Sequence, residues 1–186
     1  MEYIAVIDTE TNWLDKIMSV GVVIAETANY EITDKKYYIV SPECNVGGIY
    51  SSVLYDADKK DTAICSRKDA VTAIERLLKS NNVNSIYAYN AGFDYSHMPE
   101  LSDFAWYDIM RLAAYRQYNR YIPETALCCK TGRLKCNYGV EPITRMITGN
   151  SEYHEIHNAL RDAEDELAIM RGLGHAVCEY KIARIQ

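Results

Sequence analysis

The run Tyr3-Ile-Ala-Val-Ile7 is continuously apolar and stops at Asp8, the pattern of a strand covered on both faces. Two more apolar runs, Ile17 to Ala25 and Lys36 to Val40, follow at spacings that suit a meander, so three antiparallel strands are expected at the front of the domain. From Arg67 the period changes. Ala70, Val71, Ile74, Leu77 and Leu78 recur at three and four residues, which predicts an amphipathic helix ending near Asn81. Ser85 to Tyr89 reads as a strand running into Asn90-Ala-Gly, with a helical segment from about Phe93. Phe104 to Tyr107 is a short strand candidate, and Asp108 opens a helix through about Tyr118. Pro123 and Gly132 break residues 121–138, which read as a surface excursion. A helix from Pro142 to about Thr148 is stopped by Gly149-Asn150, and a long helix runs from about Asn158 to Gly172. The order predicts one α/β domain over residues 1–186. It would hold a mixed five-stranded sheet, three strands antiparallel and two further strands parallel, flanked by helices.

Composition narrows this reading. With 48% hydrophobic and 25% charged residues the chain reads as globular. The longest uncharged apolar run, Val20 to Ala25, is far too short to span a bilayer, and no basic segment leads into a signal-peptide core. A cytoplasmic protein with no membrane partner is the expectation. Six cysteines need no disulfide framework here. Cys128, Cys129 and Cys136 lack the paired spacing of a zinc site, so buried or half-buried thiols are expected. A net charge of −6 and a pI near 5.3 argue against a protein that grips long duplexes through many phosphate contacts. They are compatible with a site that holds a few terminal nucleotides and meets their phosphates with bound cations.

The candidate chemistry lies in carboxylates at the ends of predicted elements. Asp8 and Glu10 are two apart at the end of the first strand, so alternation points both side chains to one face. An acidic strand end leaving the core would look the same. Asp94 lies in the first turn after Asn90-Ala-Gly, where it would face the strand ends while Phe93 anchors the helix in the core, or would merely complement the helix N-terminus. Asp162 borders the stripe Leu160, Ala163, Leu167 and Met170, at the edge of the buried face and not fully dehydrated. His157 is five residues earlier, about 140° around a regular helix, which places it on the entering loop. Each position has a bland explanation, but one hypothesis accounts for all of them. An all-oxygen anionic cluster favours a hard cation, Mg²⁺ or Mn²⁺, and two such ions about 4 Å apart can clamp an in-line displacement at phosphorus.

At these residues the chain resembles the DEDDh branch of the DnaQ-like exonucleases, which share a ribonuclease-H-like fold. The resemblance rests on Val6-Ile-Asp-Thr-Glu-Thr11, Asn90-Ala-Gly-Phe-Asp94 and His157-Asn-Ala-Leu-Arg-Asp162, in the family's order and spanning nearly the whole chain. It implies a 3′-to-5′ exonuclease that acts on the 3′ end of single-stranded DNA or RNA and releases nucleoside 5′-monophosphates. Asp8, Glu10, Asp94 and Asp162 would bind two divalent cations, Mg²⁺ or Mn²⁺, with Asp8 bridging them. His157 would be the general base. Tyr153, nine residues before Asp162, cannot stand in for the tyrosine base of the sister branch, which is spaced four residues from its aspartate.

Thr9, Thr11, Trp13, Leu14, Asn90 and Phe93, in and beside the first two motifs, are expected at the substrate. Many relatives have Thr-Gly after the first motif where this chain has Asn12-Trp13-Leu14. Trp13 or Leu14 would then stack on the terminal base, with core packing of Trp13 the other option. Asp108, before a predicted helix, is read as structural. Rival readings are an RNA-trimming enzyme of the same fold, a non-catalytic nucleic-acid-interaction module, and an enzyme of small phosphate esters. Processivity or targeting, if needed, would come from a homodimer or from a polymerase or repair partner.

Overall fold

The computed structural model describes residues 2–186. Its central sheet has six strands: β1 (Tyr3–Thr11), β2 (Ile17–Glu26), β3 (Ile32–Val40), β4 (Thr62–Cys65), β5 (Ser85–Ala88) and β6 (Ala105–Asp108), in the order β4-β3-β2-β1-β5-β6. β1, β2 and β3 are antiparallel, while β5 runs parallel to β1, β6 to β5 and β4 to β3. The predicted mixed sheet therefore gains an edge strand. β4 escapes a pattern-based reading because it is four residues long and Ile64 is 62% exposed, so no buried alternation marks it.

Alternation along β1 splits the core in two. Ile4 and Val6 face one layer with Met18, Tyr37, Ile39 and the residues of α5 (Ala159–Leu173). Ala5 and Ile7 face the other, with Ile74, Leu78 and Trp106. The second layer is covered by α1 (Arg67–Ser80), capped by Ser66, and by the short α2 (Gly92–His97). The longer helices match the predicted ones within two residues: α4 spans Val140–Thr148, and Asn158 caps α5. No helix among the described residues is long and apolar enough to cross a membrane.

The helix expected from Asp108 to Tyr118 is a single turn, α3 (Met110–Ala113). After it the backbone turns to a tertiary partner: Arg116 N–H bonds Gly132 O at 3.0 Å and Leu134 N–H bonds Ala114 O at 2.9 Å. Buried Asn119 closes the turn, donating to Ala113 O at 2.7 Å and accepting from Tyr121 N–H at 2.9 Å. Residues 121–138 thus form a pinned lobe, with bridges Tyr115 to Arg133 and Cys128 to Leu134. The expectation of sheltered thiols holds at half-buried Cys128 and Cys129 and fails at Cys136, which is exposed; all six cysteines are unpaired.

The sheet and α5 approach main chain to main chain at Gly21, paired across the sheet with Asp8. A Cβ built there would lie 2.1 Å from Ala159 O, a main-chain atom of the first turn of α5. Only a bare backbone lets the helix start so near the sheet. Gly21→Ala is expected to destabilise the protein by about 1–3 kcal/mol or more, as overpacking does, read as a lower midpoint in urea. An unchanged midpoint would show that α5 can shift without cost.

Candidate active site

β1 ends in an acidic tip. Asp8 and Glu10 follow Val6 on the face toward α5, and Thr9 points to the opposite layer, as alternation requires. There Thr9, 4% exposed, holds Asp94: its N–H and hydroxyl donate to Asp94 Oδ1 at 3.0 and 2.8 Å. Asp94 stands in the first turn of α2 and is 2% exposed. The turn before it is shaped by Asn90, whose φ of 61° is left-handed and whose N–H bonds Asp108 Oδ1 at 3.0 Å. Asp108 also accepts from Met110 N–H at 3.0 Å, the structural part expected of it.

The loop before α5 brings in the rest. His157 has a φ of 60° and lies outside the helix, because Asn158 is the cap. Asn158 also reaches across the fold, donating from Nδ2 to Val53 O at 2.9 Å. The His157 ring stacks on Tyr50 with centroids 4.0 Å apart and planes 18° apart. One ligand atom each from Glu10, His157 and Asp162 lies within 4.8 Å of the others. Asp8 lies beside this triplet, and its carboxyl is raised first by burial and then by the charges of Asp94, Glu166, Asp162 and Glu10. Asp94 completes the set from the far side, its Oδ1 turned to Thr9.

Asp162 is 3% exposed, more deeply buried than its place at the border of the helical stripe suggested. Phe93, expected in the core, is 40% exposed and packs on His97 with ring centroids 4.4 Å apart. Trp13 and Leu14 are each 65% exposed, which removes the core reading of Trp13. Their loop is braced by Asn12, whose Oδ1 accepts from Leu14 and Lys16 N–H at 2.9 and 3.1 Å and whose Nδ2 donates to Glu43 O at 2.9 Å. Thr11 ends β1 half-buried beside this loop. Tyr153, excluded as a base by spacing, donates its hydroxyl to Asp165.

Three neighbours of the site lie outside the three motifs. Glu155, half-buried, has Oε1 4.0 Å from His157 Nδ1. Tyr50 comes from a loop with no motif. Glu166 is buried one turn after Asp162. Only Glu166 left a signal, an acid four residues from Asp162 and hence on the same helix face.

The electrostatics are those of crowded like charge. Burial first, then neighbouring carboxylates, push Glu10 and Asp162 up to about 8. Burial raises Asp94 to about 7 against the Thr9 hydrogen bonds that lower it. Asp8 and Glu166 stand well above the usual carboxylate range for the same first reason. Asp8 Oδ2 and Asp162 Oδ1 are buried without a hydrogen-bond partner. Orphaned oxygens on an all-carboxylate set fit hard divalent cations, which Asp8, Glu10, Asp94 and Asp162 would hold. His157 is lowered by burial, with Glu141 countering, so it is neutral at pH 7.

Because these acids are raised in the folded state above unfolded values near 4, the metal-free fold binds more protons than the unfolded chain. The stability this contributes is present below pH about 4 and is lost as pH rises through about 7 to 8. Melting temperature in EDTA is therefore expected to fall from pH 5.5 to 8.5. Mn²⁺ should restore it more at pH 8 than at pH 5.5, since ligation needs deprotonated carboxylates. A flat profile in EDTA would contradict the assignment.

No protein-family model matches the chain, and no curated protein matches it significantly. Solved structures do. The nuclease domain of 3′hExo, described as a DEDDh family member bound to rAMP, superposes with a TM-score of 0.66 at 16% identity, covering 97% of this chain and 95% of that one. A 3′-exonuclease in specific recognition of the histone mRNA stem-loop 3′ end gives 0.64 at 16% identity. That match covers 94% of this chain, which spans 65% of the other's length. Exonuclease X in complex with 5′-overhanging duplex DNA gives 0.58 at 19% identity, covering 97% and 98%. The chain thus has the fold of the DEDDh exonuclease domains, with Asp8, Glu10, Asp94, His157 and Asp162 gathered at one end of its sheet.

Proposed function

We propose that this protein is a 3′-to-5′ exonuclease that removes nucleoside 5′-monophosphates from single-stranded nucleic acid with two bound divalent cations, Mg²⁺ or Mn²⁺. The observation that carries the reading is the meeting of Glu10, His157 and Asp162 beside Asp8 at the end of β1, on a fold that 3′-exonucleases use. The cations, when bound, supply charge stabilisation at the scissile phosphate and its leaving oxygen. Asp8, Glu10, Asp94 and Asp162 would hold them. His157 takes the proton of the attacking water. With Nδ1 turned to Glu155, Nε2 is left for this transfer, and the stack on Tyr50 fixes the ring's plane. The water oxygen bonds to phosphorus, the bond from phosphorus to O3′ breaks, and the departing oxygen is protonated to a new 3′-hydroxyl.

Exposed Trp13, Leu14 and Phe93 offer apolar surfaces for stacking on terminal bases, and Thr11 and Asn90 offer polar groups beside them. Thr9 is engaged with Asp94 and takes part through it. A polymer is favoured over a small ester by charge. Residues 111–138 carry six Lys and Arg against one acid, Glu124, although the chain as a whole is at −6. Their lobe is tied to the site where Tyr89, next to Asn90, donates its hydroxyl to Tyr138 O at 2.5 Å. Neighbours of this fold include a 3′-exonuclease that recognises an RNA 3′ end and an exonuclease in complex with overhanging duplex DNA.

The test is a 5′-labelled single-stranded DNA and RNA, each incubated with Mn²⁺ or EDTA. Stepwise shortening of one or both in Mn²⁺ and none in EDTA is expected. Asp8→Asn should abolish it, and His157→Ala should slow it by about 10² to 10⁴. Failure to shorten either polymer, or an active Asp8→Asn protein, would sink the proposal. The basic lobe has its own readout: with Lys130→Gln and Lys135→Gln together, oligonucleotide binding should weaken. Its dependence on log salt should flatten by about 0.7 for each phosphate no longer neutralised. An unchanged slope would free those lysines of that role.

A further inference from the structure

Glu166 is one turn beyond Asp162 on α5, so both carboxylates leave the same side of the helix, the side packed against β1 and β2. It is 2% exposed, and its Oε2 is buried with no hydrogen-bond partner. No basic side chain pairs with it among the described residues. Its charged neighbours are Asp94, Asp162 and Glu155, and its own charge is among those that raise the buried Asp8. The backbone N–H of Tyr89, at the mouth of the turn leading to Asp94, favours its anion. Other inward positions of the same helix are filled by Ala163, Leu167 and Met170. An acid in this row, enclosed and facing three other acids, is costly for packing alone. A bound cation would supply the missing counter-charge and the missing partner for Oε2.

We propose that Glu166 belongs to the cation-binding set with Asp8, Glu10, Asp94 and Asp162, meeting a bound divalent cation directly or through one of its waters and tightening its hold. The proposal rests on the reading of the site as a metal centre. It adds a fifth carboxylate, so the ligand set carries one negative charge more than two dications neutralise. The consequence is high affinity for divalent cations and a metal-free form strained by repulsion.

Mn²⁺ titration calorimetry on the whole protein tests this, alongside melting temperatures in EDTA. Glu166→Gln keeps the shape and removes the charge. It should bind Mn²⁺ about tenfold or more weakly, the scale seen when a supporting carboxylate is removed, and should melt higher than wild type in EDTA. Glu166→Asp keeps the charge on a shorter stem and should fall between the two, which preserves the test if the glutamine variant does not fold. Glu164→Gln, on the same helix but paired with Lys35 and Arg161, should bind as wild type does. If wild type binds Mn²⁺, Asp8→Asn does not, and Glu166→Gln matches wild type, Glu166 is a neutral buried acid and this inference alone falls. If wild type binds no Mn²⁺, the metal centre itself falls with it.

Discussion

A bare patch of backbone on β2 sets the distance on which the site depends. Gly21 pairs with Asp8 across the sheet, and the first turn of α5 rests on it, main chain against main chain. A side chain there would push the helix outward and carry Asp162 away from the tip of β1. With the helix in place, Asp162 and Glu166 face Asp8 and Glu10, and Asn158 both caps α5 and ties the loop behind Tyr50 to it. The steric allowance at one glycine thus fixes the position of two acids, a cap and the histidine just before it.

What that geometry brings together repels itself. Burial and mutual charge raise every one of the site's carboxylates, while few hydrogen bonds within the protein answer them. Thr9 restrains Asp94, and the helix N-terminus favours Asp162 as an anion. These are small against the desolvation of four or five acids. Such a cluster is sustained by the packing around it and is relieved by cations. Structure and proposed chemistry share this origin: the repulsion that weakens the metal-free fold gives a metal its affinity.

The charge of the chain is unevenly laid out around this centre. An acidic body surrounds the carboxylates, and a basic lobe is attached near Asn90 through Tyr89 and Tyr138. The exposed apolar tip, Trp13 and Leu14, stands on a loop whose shape comes from the three hydrogen bonds of Asn12. Overall net charge hides this arrangement, because the six cations of residues 111–138 are outnumbered elsewhere in the sequence. Local pairing of residues 114–116 with 132–134 is what makes the lobe one body.

The sequence alone determined the elements that an apolar pattern marks: continuous runs report strands buried on both faces, as in β1 and β2, and three-and-four spacing reports the helix face that meets the core, as in α1 and α5. It also determined the motif residues, since Asp8, Glu10, Asp94, His157 and Asp162 occur at spacings that a strand end, a helix start and an entering loop make meaningful. Even the position of His157 off the helix followed from a simple angle. The tertiary structure decided what has no local period. β4 is an exposed edge, the helix after Asp108 yields to pairing with the returning chain, and Phe93 turns outward while Asp94 beside it is buried. The structure alone brought Tyr50 and Glu155 to His157, and it alone showed that Glu166 is enclosed without a partner. Spacing along a chain fixes which way a side chain points, but only the packing of distant segments fixes what it meets there.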